Sequence, residues 1–187
     1  MKRSLISLVL IAAATVSLAS CRSLTPAITV NDVEISMDDF EEDLRALAAS
    51  DVLASNQLVV DGRAEPELVA QWATLLVLGE LVREENTRRG IVVTDDDLAA
   101  ARDPALEDFL AELPDDMADR FVANQAQFRV LEAAVESDGG VAAVQQQLVD
   151  AAEVHVDARY GLVWDAALPA MVVAEHAPVP AERQRAD

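Results

Sequence analysis

The feature that most constrains this chain is a change of hydrophobic period at both ends of its body. "AITVNDVEIS" (residues 27–36) alternates apolar and polar side chains, with Ile28 and Val30 before Asn31-Asp32 and Val33 and Ile35 after it. That pattern predicts a strand that bends or turns at the Asn-Asp pair. "EVHVDARYGLVW" (153–164) alternates again, with Val154 and Val156 on one face, and "AMVVAE" (170–175) offers a last strand. Everything between follows helical spacing, so the outline is strand, several helices, strand. Repeat architectures do not fit, because no stretch of the chain resembles another.

The helical middle is punctuated by recognisable starts and stops. Ser36 is a candidate N-cap with Asp38 and Asp39 in the first turn, and Phe40, Leu44 and Leu47 follow at helical intervals. Residues 50–63 read as a loop or short helix. Pro66 suits a first helical turn, and Leu68, Trp72, Leu75, Leu76 and Val82 form the stripe of a long helix. Arg88-Arg89-Gly90 closes it with cations and a left-handed cap. Thr94 caps the next helix ahead of Asp95-Asp96-Asp97, and Asp103-Pro104 starts another. Pro114-Asp115-Asp116 opens a helix with Met117, Phe121, Phe128, Leu131 and Val135 on one side. Ser137-Asp138-Gly139-Gly140 breaks it before Val141, Val144 and Leu148.

The amino end speaks to location. Lys2 and Arg3 precede an apolar run from Leu5 to about Leu18. The run is shorter than the ~20 residues a membrane span needs and has the proportions of a signal peptide. It ends in Leu18-Ala19-Ser20-Cys21, which looks like the lipobox of bacterial lipoproteins. That likeness implies a diacylglycerol thioether on Cys21, cleavage before it, and an amino end that is often acylated. Cys21 is the only cysteine, so no disulfide forms within the chain. Two or three acyl chains make a stable anchor where one is marginal. The expected organisation is a leader at 1–20, a lipidated tether at 21–26, one domain at 27–175 and a disordered tail at 176–187. The protein is then extracytoplasmic and lipid-anchored to the outer face of the cell membrane.

Charge narrows the partners. The chain carries a net charge of −20 and becomes more acidic when the leader takes away Lys2, the only lysine, and Arg3. Such a surface repels nucleic acid and anionic headgroups, which leaves the covalent lipid as the anchor. Aromatics are 4% of the chain, so a core must come from Leu, Val and Ala.

Three stretches together resemble the SurA, PpiD and PrsA family of extracytoplasmic chaperones. "AITVNDVEISMDDFEEDL" is similar to the family's opening strand and first helix. "LVREENTRRGIVVTDDDLAAA" is similar to its long helix, basic-glycine cap and next helix start. "VHVDARYGLVWD" resembles the closing strand of lipoproteins with a SurA-like domain in high-GC Gram-positive bacteria. The resemblance implies a mainly α fold: a SurA N-terminal-like helical domain with a small pairing of its first and last β-strands. Two positions depart from it. Asp32 stands for the usual turn glycine, which Asp tolerates because it enters left-handed angles readily. Asp157-Ala158 stands where relatives tend to have Asn-Pro. No parvulin isomerase module follows Thr94, and His155 and His176 lie too far along the chain to supply that module's paired histidines.

The expected function is therefore a membrane-anchored holdase for unfolded, nascent or translocating polypeptides, acting without catalysis. An accessory lipoprotein with one dedicated partner is the alternative, and an isomerase by family name only is a second. No metal or cofactor is expected beyond the lipid on Cys21. Asp95-Asp96-Asp97 reads as a helix start, and His155 as a solvent-facing strand residue. Trp72, Leu76, Phe121 and Phe128 are the candidates for lining a peptide groove, although residues at their spacing more often form a core.

Overall fold

The computed structural model describes residues 25–136 and 140–174. The leader, Cys21, the tail at 176–187 and most of the expected break at 137–140 lie outside the described residues.

The chain opens with a hairpin of β1 (Pro26–Val30) and β2 (Val33–Ser36), starting within the expected tether. Val30 faces Val33 and Ile28 faces Ile35 across the ladder. The left-handed turn residue is Asn31, at φ 52°, and not the Asp32 expected to take the glycine's place. Asn is among the few side chains that enter that region at low cost, and here it has further partners. Its N–H donates to the Glu153 carbonyl at 2.8 Å, its Oδ1 accepts from the Glu153 N–H at 3.0 Å, and its Nδ2 donates to Glu84 at 2.8 Å.

Ser36 caps α1 (Met37–Ala48), accepting the Asp39 N–H at 3.1 Å. The uncertain stretch that follows holds both a helix, α2 (Asp51–Ser55), and a second hairpin, β3 (Val59–Val60) with β4 (Arg63–Ala64). Asp61 and Gly62 sit at φ 51° and 70° between those strands. An Asp-Gly pair with both residues left-handed matches the twist of a two-residue hairpin.

The long helix is α3 (Pro66–Arg89), with Pro66 in its first turn and Gly90 at φ 70° beyond its end. Leu68, Trp72, Leu76, Val77 and Leu81 are all buried on it, while Leu75 is half-buried. Burial spread around the barrel of a helix marks an element surrounded by others. α4 (Asp95–Ala101) begins with a complete capping box between Thr94 and Asp97, so these acids do serve a helix start. A 3-10 turn (Pro104–Leu106) leads into α5 (Glu107–Glu112), and α6 (Asp115–Ala134) and α7 (Val141–Ala151) complete seven α-helices among the described residues.

β5 (Val154–Val156) returns to β1, pairing Ile28 with Val156 and Val30 with Val154 in an antiparallel sheet of order β2-β1-β5. β5 is not the last strand, and "EVHVDARYGLVW" is not a single strand. Asp157 caps a 3-10 turn (Ala158–Tyr160), Gly161 follows at φ 60°, and β6 (Leu162–Asp165) pairs instead with β7 (Ala170–Val173). The alternation continues in phase from Val154 through Leu162 and Trp164, which conceals the break. The capping Asp and the left-handed Gly are what interrupt it. The architecture is thus mainly helical with small antiparallel sheets.

α3 packs against α6 at Gly79. A Cβ there would lie 2.6 Å from Nδ2 of Asn124. Gly79→Ala gains roughly 1 kcal/mol of helix propensity but forces a side chain out of a filled site, at about 1–3 kcal/mol. We expect a net loss of about 1 kcal/mol in urea unfolding, recovered when Asn124→Ala removes the obstruction.

Candidate functional site

The four residues expected to line a peptide groove do not share an open surface. Trp72 and Leu76 are only 5% and 6% exposed, within the main core. Phe121 is half-buried and meets Phe109 edge-on, with ring centres 6.0 Å apart. Phe128 packs on a separate small cluster of Val82, Leu131, Val135 and Val144.

Trp72 instead anchors a buried polar contact. Its Nε1 donates to Oδ2 of Asp43 at 3.0 Å, and Arg120 donates from Nη2 to Oδ1 at 2.6 Å. Asp43 is 4% exposed. Burial pushes its carboxyl above the usual range, against the pull of Arg120 and Trp72. This group ties α1, α3 and α6 together, and none of its members faces an open cavity large enough for a peptide.

An open apolar groove lies elsewhere, between the first half of α3 and β7, with a volume of about 480 Å³. Helical spacing presents Glu67, Ala70, Gln71 and Thr74 on one wall. Small side chains at 70 and 74 keep the wall set back. The other wall is β7, whose Met171 is buried while Val172 and Val173 are half-buried. Apolar surface continues around the hairpin, with Val163 44% and Leu168 64% exposed.

The strand's main chain is part of this site. Ala174 donates its N–H to the Gly161 carbonyl at 2.7 Å, beyond the pair of Leu162 with Val173. In an antiparallel ladder, residues alternate between bonding the neighbour and facing away. Ala170 and Val172 therefore bond β6, while Met171 and Val173 turn their N–H and C=O outward. The Met171 N–H donates to Thr74 Oγ1 at 2.8 Å, and that hydroxyl donates to the Ala70 carbonyl at 2.7 Å. Among the described residues, nothing accepts from the Val173 N–H.

Among the described residues, Glu67 is the only charged one lining the groove. The groove offers apolar surface, the Thr74 hydroxyl and outward main-chain groups of β7. His155 is exposed on β5 opposite Thr29. Among the described residues, no group of three or more acids, histidines or cysteines is placed to hold a metal. None of the helices there is long and apolar enough to cross a membrane. The groove was hard to foresee because small and polar residues of α3 build it, while the aromatic Trp72 goes to the core. No family model matches the chain, and comparison with curated proteins and with solved structures finds no significant match.

Proposed function

We propose that this protein is a lipid-anchored, extracytoplasmic chaperone with a SurA N-terminal-like fold. It holds unfolded or translocating polypeptides without catalysing their isomerisation. The open apolar groove between α3 and β7 carries this reading, because it joins apolar area to unpaired main-chain groups. Any unfolded chain offers both features, whatever its sequence. The return of β5 to β1 supports the fold expected from the resemblance. The anchor rests on Leu18-Ala19-Ser20-Cys21 behind a basic and apolar leader. The acidic surface keeps a loaded complex soluble and draws in basic chains, more weakly as salt rises.

The test is aggregation of a chemically denatured enzyme in the presence of the full chain on phosphatidylcholine vesicles. Stoichiometric protein should slow light scattering, and the effect on a basic client should shrink between low and high salt. Unchanged scattering at every ratio removes the holdase reading. Recovery of a single stoichiometric partner from membranes, in place of many weak clients, favours the accessory lipoprotein. Mass spectrometry of membrane-extracted protein should show a chain that begins at a diacylglyceryl Cys21, and Cys21→Ser should retain the leader.

A further inference from the structure

We propose that the groove receives its client as an added β-strand on the Val173 edge of β7, and that it prefers extended segments alternating apolar residues with Arg or Lys. This inference rests on the polypeptide-binding reading above.

The first argument is the edge itself. Natural sheet edges are blunted by charge, proline or bulges, because a row of free N–H and C=O groups templates further pairing. β7 reads Ala-Met-Val-Val and carries no charge or proline within its span, in a chain that is 26% charged. Thr74 covers it at one point only, the Met171 N–H. Among the described residues, the Val173 N–H and C=O remain without a partner, on one residue and facing one way. An antiparallel client residue opposite Val173 can exchange both hydrogen bonds with it.

The second argument is the shape of the opposite wall. Alternate side chains of an added strand point to the same face, so every second client residue enters the space above Ala70 and Thr74. That space is apolar and set back, and it suits Val, Ile or Leu. The residues between point the other way and need not be apolar.

Charge selects the rest of the occupant. The outward-pointing client residues face the acidic surface of a chain that carries −20, and among the described residues no cation lines the groove. A second copy pairing edge to edge would bring two such surfaces within the ~10 Å over which charges act at 0.1 M salt. Repulsion disfavours that dimer, whereas a cationic client gains from the same field.

The experiment uses a fluorescent peptide of alternating Val and Arg, titrated against the full chain on phosphatidylcholine vesicles and read by anisotropy. Saturable binding is expected. N-methylation of two adjacent central residues, which blocks both edges of the peptide strand, should weaken it at least tenfold. A Val/Glu peptide should not bind. Val173→Pro removes the outward N–H without touching the β6 ladder, a placement that edge strands tolerate, and should match the N-methyl effect. If that variant fails to fold, the N-methyl comparison on the native chain decides. Equal binding of the parent and N-methylated peptides overturns strand addition. So does suppression of aggregation with no binding of the Val/Arg peptide. In both cases the holdase reading stands on its own assay, and only loss of suppression as well removes it.

Discussion

Arg120→Met should cost about 3–5 kcal/mol of stability in urea unfolding, the usual cost of stripping the partner from a buried charge. Asp43 would keep the Trp72 N–H but lose its ion pair while itself only 4% exposed, beside an Arg120 side chain that is 35% exposed. The pH dependence gives the loss its signature. Burial already raises the folded-state pKa of Asp43 above its unfolded value. A raised pKa contributes stability that is fully present below the unfolded pKa and lost as pH rises through the folded one. Removing Arg120 raises the folded pKa further and widens that window. The variant should therefore regain stability on acidification, starting at a higher pH than the native protein. Asp43→Leu combined with Arg120→Met should restore much of the loss, since apolar replacements of a buried pair are often tolerated. It leaves the Trp72 N–H unsatisfied, at about 1–3 kcal/mol. A flat pH profile for the single variant would show that Asp43 is solvated and the ion pair incidental.

Phe40→Ala should be of similar size, about 3–5 kcal/mol for an aromatic removed from a filled core. Phe40 is fully buried and meets Tyr160 edge-on, with ring centres 4.8 Å apart at 87°. The Tyr160 hydroxyl donates to Met37 Sδ at 2.7 Å. Burial is the main reason its phenol is pushed up to about 12, with Glu41 adding to the shift. The cavity left by Phe40 admits water beside that ring, so ultraviolet titration of the folded variant should show the phenol moving back toward 10. Phe121→Ala, at a half-buried position, should cost clearly less.

Much of the fold was legible because local chemistry and tertiary packing agree. Ser36, Pro66, Gly90 and Thr94 each start or stop a helix as their side chains dictate, and Val154 and Val156 form a strand. The β3–β4 hairpin fell inside the stretch read as a loop or short helix: Asp61-Gly62 is a strong two-residue turn, but Val59-Val60 and Arg63-Ala64 are too short to show a strand period. The divided segment after β5 was harder, because its apolar residues keep one phase through the interruption at Asp157–Gly161. Least legible was the binding surface. Nothing in the spacing of Trp72, Leu76, Phe121 and Phe128 distinguishes a groove from a core, and packing gave Trp72 to Asp43. The groove depends on Ala70 and Thr74 being small opposite a strand from the far end of the chain, and that juxtaposition exists only after folding.

The position of β1 between β2 and β5 has a kinetic consequence. β2 is available as soon as the first turn forms, but β5 arrives only after every helix between them has emerged. Until then one side of β1 stays unsatisfied, and the contacts of Asn31 with Glu153 that lock the closure cannot be made. Loop closure over so long a separation is slow. The domain should therefore mature late in its own emergence, with its most exposed intermediate being the stage at which the opening hairpin waits for its third strand.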